Sequence, residues 1–519
     1  MTPPPAGGRI QDAGELRRDV EERPDVCVVG SGPGGAVVAA RLSARGLRVV
    51  VLEEGGHYPP EAMRMDEAWA YPSLYQERGS RATADLAITV LQGRGVGGGT
   101  LVNWTTSFRT PPQVLRHWAE RHGVSGLDEK ALEPHFAAVE ARLDIQPWPV
   151  DRANANNRVV WDGATRLGWE KAPTRRDVTA CQDLGYCGTG CPVGAKNTAD
   201  LTYLADAVRD GARIFARARV TRLEKAGKRV AAVHAQALDP ASGRPTGRKL
   251  VVRPKLVVLS AGAVGTPEIL LRSGYDPSGR VGKRTFLHPV VASFALFDRP
   301  IQPFYGAPQS IASHHFADRG PGKAGFFVET APVHPLLAGI SVGGFGAVHE
   351  EQMAGLASSN ALIALAIDGF LPEEEGGTVS LRRDGRVRLD YPIRPPIWEA
   401  LREGNKALAR MQLAAGARLV RSLHEDPVVI RSEADLGLLD RAPWEPLRVA
   451  VFSAHPVGGC ALGRDPERSV VDSRLRLHWL ENVYVVDGSV FPTSLGVNPQ
   501  ETIFAVAHWA SDHIAAASG

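Results

Sequence analysis

Five cysteines in 519 residues exclude a disulfide framework as the source of stability. No apolar run reaches the roughly 18 residues that a membrane span needs, so no transmembrane segment is expected. Residues 1–25 carry an Arg pair, Arg17 and Arg18. No apolar stretch follows the pair to serve as a signal peptide, and the segment reads as polar and frayed, with a cytoplasmic location expected. An excess of charge of one sign is also missing: 60 Lys and Arg stand against 57 Asp and Glu, a net charge of +3. That balance argues against nucleic acid or an acidic membrane as the main partner. Internal repeats and low-complexity tracts are absent, and the 55 Gly and 38 Pro fall in turns and loops.

What is present is a globular composition, 44% hydrophobic and 23% charged, in a chain too long for one ordinary core. Two interleaved domains are expected. Residues 25–29 read as a short buried strand, 36–44 as a helix of small residues and 47–52 as a second strand. A helix followed by a strand is expected across 200–225, the strand over 212–220. Residues 256–260 form a strand that leads through a glycine turn into a helix over 267–272. Between 282 and 450 the character changes to alternating segments, such as 361–367 and 387–391, of a mostly antiparallel sheet. The first pattern returns at the end, with a strand over 483–486 and a helix over 499–515. The fold class is therefore α/β (α+β two-domain): a Rossmann-like domain with an inserted antiparallel-sheet substrate domain. The boundaries are 24–285 for the cofactor domain (with parts of a substrate cap near 105–175), 286–450 for the substrate domain, and 451–519 for the return to the first.

Gly30-Ser31-Gly32-Pro33-Gly34-Gly35 fits G-x-G-x-x-G between a strand and a helix, the context a dinucleotide site requires. Gly30 makes the tight turn, Gly32 lets backbone approach a pyrophosphate, and Gly35 lets helix and strand pack closely. The free N–H groups of the helix start suit phosphates. Glu53, ending the second strand, can accept from ribose hydroxyls. A second cluster, Gly93 to Thr100, exposes backbone N–H groups to something large and flat or to phosphate; its alternative is a mobile surface loop. Cys181, Cys187 and Cys191 follow C-x5-C-x3-C. Three soft ligands suggest zinc or an iron–sulfur cluster, yet a fourth ligand and C-x2-C spacing are missing. No metal site is assigned.

Several segments together resemble the glucose-methanol-choline (GMC) family of flavoenzymes. They are Val26 to Gly56, Gly93 to Asn103, Gly262 to Gly274, His455-Pro456-Val457-Gly458-Gly459-Cys460, and Val485-Val486-Asp487-Gly488-Ser489 through Gly496-Val497-Asn498-Pro499. The closing stretch looks most like the cholesterol oxidase and long-chain alcohol oxidase branch. The resemblance implies FAD, with Gly30, Gly32, Gly35 and Glu53 on its ADP half and Val220 on the adenine side. Gly98, Gly99 and Asn103 would approach the flavin ring, and Asp487 and Gly488 would hold the ribityl and pyrophosphate region. Some members attach FAD through a histidine where this chain has Asn103, so non-covalent FAD is expected. The same branch has a similar Cys-Gly-rich loop ending in Gly-Ala-Lys, which reads as a loop near the flavin.

Oxidising an alcohol by hydride transfer needs a base for the hydroxyl proton and a C–H bond aimed at flavin N5. Histidine titrates near neutrality, and His455 follows an apolar run at a strand end, so it is a candidate base; its alternative is a hydrogen-bonded core histidine. Asn498 precedes Pro499 at a helix start, where its amide can serve the same oxygen or cap the helix. The family places a His and an Asn or second His at these positions. Glu329 lies inside an apolar segment where burial raises its pKa. Cholesterol oxidases have a catalytic glutamate in a similar-looking segment; the alternative is a solvated strand-edge acid. His288 and His508 read as structural. The expected reaction converts a primary or secondary, lipophilic alcohol to a carbonyl, with oxygen or another electron acceptor reoxidising FAD. The rival is a non-redox flavoprotein on the same fold, a lyase or light-driven decarboxylase.

Overall fold

A computed structural model describes residues 8–372 and 374–518. Its centre is a six-stranded sheet in the order Arg9–Asp12, Arg213–Ala216, Val49–Leu52, Val26–Val29, Leu256–Leu259 and Val483–Val485. Every adjacent pair is parallel. Four of the strands read VCVV, VVVL, LVVL and VYV and are buried along their whole length, the signature of a sheet covered on both faces. The helices Pro33–Ser43 and Gln500–Ala516 pack against each other beside it.

The N-terminal segment is not frayed throughout, as the sequence had suggested. Arg9–Asp12 adds the edge strand in register with Arg213–Ala216, and Val20–Glu22 pairs with Leu250–Val252. Asp12 also forms an ion pair with Arg217. Residues 1–7 lie outside the described residues. The single strand expected over 212–220 is two, Arg213–Ala216 and Ala218–Ala226. They are split at Arg217, whose φ of 53° turns the chain from the parallel sheet into a second sheet built largely of antiparallel strands.

A further sheet runs Phe326–Thr330, Ser359–Ala366, Val290–Leu296, Leu419–Ser422 and Val429–Ile430, all antiparallel. Val451–Ser453 and Ile88–Val90 join it from the side. Its two faces divide by the period-2 alternation of strands. Leu362, Ala364 and Ala366 pack with Val291, Ala295 and the helix Pro395–Ala414. Ala361, Ile363 and Leu365 face the other way with Val290, Ala292 and Phe294. The register sets Val290 opposite Leu365, Ala292 opposite Ile363 and Phe294 opposite Ala361. This second face looks toward the parallel-sheet domain and carries the site. Among the described residues no helix is long and apolar enough to cross a membrane.

Candidate active site

A cavity of about 1080 Å³ runs between the two sheets. One end is lined by Glu53, Glu54, Arg94, Arg219, Val220 and the loop 239–243, the middle by Gly30–Gly34, Gly98–Thr100, Gly262, Asp487 and Gly488. Asn103, His455 and Asn498 line the other end.

Glycine is required along this path for identifiable reasons. A Cβ on Gly34 would stand 1.8 Å from the Val486 carbonyl oxygen, and one on Gly35 2.0 Å from that of Gly30. These contacts let the helix Pro33–Ser43 start tight against the sheet. Its N-cap, Gly32, makes no side-chain capping bond, which leaves the first N–H groups open to the cavity. A Cβ on Gly99 would meet nothing within 4 Å; that position is open cavity.

Glu53 and Asp487, the two acids expected along the cofactor, are engaged by the protein itself. Glu53 accepts from Ser31 N at 3.0 Å, Ser31 Oγ at 2.6 Å and Gly55 N at 2.8 Å. It thus ties the glycine turn to the second strand, and burial raises its pKa. Asp487 accepts from Gly262 N at 2.9 Å, Thr266 Oγ1 at 2.6 Å and Ser489 N at 2.8 Å. Sequence reasoning missed Glu54, which meets Arg94 at 3.1 Å and Arg219 at 3.2 Å. Against the desolvation that raises it, those two cations hold its carboxyl below the usual range. The second acid in Leu-Glu-Glu-Gly was the available signal.

At the other end, Val451–Ser453 delivers His455 to the cavity edge. Desolvation pushes its pKa down to about 4, so the imidazole is neutral at physiological pH. Its Nδ1 lies 3.3 Å from Nδ1 of His288. His288, buried and left-handed at φ 52°, is held through its backbone N–H to Asp368 at 3.2 Å. Asp368 also accepts from the Tyr391 hydroxyl at 2.6 Å. His288 is thus a rigid neighbour of His455, a role its local sequence does not signal. His508 lies elsewhere, with Arg41 and His135.

Asn498 is buried, and its Nδ2 donates to Glu329 Oε2 at 3.4 Å. The same oxygen accepts from Gln309 Nε2 at 2.8 Å. Glu329 is 0% exposed, not a solvated strand-edge acid, and desolvation pushes its pKa up to about 8. It stands behind Asn498 and Gln309, which line the cavity while it does not. Asn498 Oδ1, Asn103 Oδ1, Glu329 Oε1 and His288 Nε2 are buried without a hydrogen-bond partner.

The cysteine loop backs this end. Cys187 is buried, Cys181 and Cys191 are partly buried, and all are free thiols. The Tyr75 hydroxyl, from the cavity wall, donates to the Gly188 carbonyl at 2.6 Å.

The fold is thus a two-domain α/β architecture in which a glycine-lined groove at a helix start leads to a histidine–asparagine end under an antiparallel sheet. Comparison with known proteins gives the family. Profiles described as GMC oxidoreductase match residues 71–290 and 372–507, and an NAD(P)-binding Rossmann-like profile matches 28–59. A GMC-type oxidoreductase of Mycobacterium tuberculosis is 36% identical over 500 residues, covering 95% of this chain and 76% of the relative. Long-chain-alcohol oxidase FAO4B of Arabidopsis thaliana is 31% identical, covering 95% and 67%. Among solved structures, pyridoxine 4-oxidase from Mesorbium loti superposes with a TM-score of 0.72 at 21% identity, covering 94% of this chain and 98% of that one. The chain belongs to the GMC oxidoreductase family, whose cofactor is FAD. The residues present fit that cofactor: the open space at Gly99, the uncapped helix start and the orphaned Asn103 Oδ1 all face one continuous groove.

Proposed function

We propose that this enzyme oxidises a lipophilic primary or secondary alcohol to the carbonyl compound, with oxygen or another acceptor closing the cycle. The observation that carries this reading is the wall beside His455 and Asn498. Val290, Ala292, Phe294, Ala361, Ile363 and Leu365 line it together with Val333, Leu337 and Phe452. An apolar wall of this extent favours a hydrocarbon body by burial, at about 25 cal/mol per Å² of apolar surface. A sugar would leave its hydroxyls without partners there, which is costly. The name of the Arabidopsis relative supports the same substrate class.

Gly30, Gly32, Gly35 and Glu53 would hold the ADP half of FAD, with Val220 at the adenine. Asp487 and Gly488 would stand beside the pyrophosphate and ribityl region, and Gly98, Gly99 and Asn103 beside the ring. FAD supplies the hydride acceptor when bound, without a covalent link, since Asn103 offers no histidine. His455 takes the hydroxyl proton at Nε2, because Nδ1 is occupied by His288. Its depressed pKa keeps it neutral and able to accept at pH 7. Asn498 orients the substrate oxygen and donates to the charge that develops on it. Glu329, neutral below about pH 8, holds Asn498 from behind and meets the cavity only through Asn498 and Gln309.

The test is anaerobic mixing of purified protein with primary alcohols of increasing chain length. Bleaching of the flavin absorbance that strengthens with chain length supports the proposal. Flavin that no alcohol bleaches, long-chain or sterol, would overturn it in favour of a non-redox role on the same fold.

A further inference from the structure

Two buried cations lie behind the segment 101–104, which lines the cavity through Val102, Asn103 and Trp104. Lys196 is 2% exposed. Its Nζ donates to three carbonyls, of Leu101 at 3.0 Å, Asn103 at 2.9 Å and Cys187 at 2.9 Å. Three acceptors use all three N–H bonds of an ammonium, one more than a neutral amine has. Arg176 is 0% exposed. Its Nη2 reaches the Trp104 carbonyl at 3.3 Å and Cys187 Sγ at 3.8 Å, while Nε and Nη1 have no partner.

Among the described residues neither cation has a carboxylate within ion-pair distance. Asp177, whose charge acts on both, accepts from Gln500 at 2.8 Å and is pushed up to about 7 by its own burial. Removing two charges from water without a counter-ion is expensive, and carbonyl bonds offset only part of that cost. The mounting is stiff. Arg176 sits on a strand paired with Thr106 on one side and Gln146 on the other, and Lys196 is bridged to Val178. The arrangement places Lys196, whose pKa burial lowers, and Arg176 in the wall behind Asn103, where charge is screened less than in water.

We propose that Lys196, supported by Arg176, is a positioning residue for the cofactor: it locks Leu101–Trp104 against the cysteine loop and supplies a buried positive charge that favours the reduced, anionic flavin. This rests on the reading that FAD fills the cavity with its ring beside Asn103. The electrons come from the alcohol as hydride and its hydroxyl proton leaves to His455, so Lys196 exchanges neither; it lowers the cost of the negative charge left on the ring.

The experiment compares the parent with Lys196→Met, which removes charge and donors, Lys196→Gln, which removes the charge and keeps donors, and Lys196→Arg, which keeps the charge. For each, bound FAD is quantified and the flavin midpoint potential is measured by slow anaerobic enzymatic reduction against a reference dye. A unit charge about 10 Å away at an effective dielectric of about 20 alters an equilibrium by about tenfold. The expected result is that Lys196→Met and Lys196→Gln keep FAD but shift to a more negative potential, disfavouring reduction by about tenfold, and that Lys196→Arg recovers most of the shift. Full FAD content with the parent potential in Lys196→Gln would overturn the proposal. So would the failure of both neutral variants to fold, which would make Lys196 a structural cation only. A parent protein that purifies and refolds without flavin would instead overturn the cofactor reading itself.

Discussion

Glu329→Gln separates a neutral hydrogen-bonding acid from an ionised base, and its size can be worked from the structure. Burial lifts the carboxyl from its ordinary value of 4.5 to about 8. The folded protein therefore binds a proton that the unfolded chain has released between those two values. Stability follows the difference in bound protons, so it falls as pH rises through that window and is unaffected below it. At about 1.4 kcal/mol per pH unit, the loss reaches about 3 kcal/mol by pH 7. Glutamine mimics the protonated acid in shape: its carbonyl can accept from Gln309 and Asn498, and its amide takes the place of the orphaned Oε1. It cannot ionise in either state. Urea denaturation of holoenzyme and variant across pH 4.5 to 8 should show the variant gaining on the parent steadily, by about 3 kcal/mol at pH 7. Denaturation midpoints that differ by a constant across the range would refute the reasoning. Glu329 would then be ionised at neutral pH and available as a base, and His455 would lose its exclusive claim to that role.

Three further outcomes follow from the same geometry. His455→Ala should slow flavin reduction at saturating alcohol by about 10²–10⁴ while leaving FAD content unchanged. Asn498→Ala should also slow it, and the double variant should lose less than the product of the two, because both serve one oxygen. Stopped-flow reduction of His455→Ala at the parent rate, with FAD bound, would remove His455 from the mechanism. Gly34→Ala sets a Cβ 1.8 Å from the Val486 oxygen, a backbone atom that cannot swing aside, whereas the same change at Gly99 enters open cavity. Gly34→Ala should lower the thermal stability of the flavin-free protein, and Gly99→Ala should lower FAD occupancy alone. A Gly34→Ala protein as stable as the parent contradicts this. Acid precipitation should release the flavin to the supernatant; colour retained by the pellet would mean a covalent link and a different role for Asn103.

Much of the fold is legible locally. Runs such as VCVV, VVVL and LVVL bounded by glycine turns dictate buried parallel strands, and G-x-G-x-x-G between strand and helix dictates the nucleotide groove. The alternation in Ser359–Ala366 identifies a strand, and the His455 and Asn498 segments supply the candidate residues. Local pattern does not say which faces meet, since that depends on pairings between residues far apart in the chain. His288 reaches His455 across 167 positions, Glu329 is sealed beneath Asn498 across 169, and Lys196 finds Leu101 and Asn103 across more than 90. The N-terminal strand illustrates the same limit: Arg9–Asp12 is polar by composition and becomes a strand only because the edge of a parallel sheet offers it a ladder of unpaired backbone groups. The sequence by itself singled out the glycine groove and the candidate residues His455 and Asn498. Tertiary packing decided the apolar wall, the neutral state of His455 and the charge held behind Asn103, because each depends on what excludes water from a group rather than on the group itself.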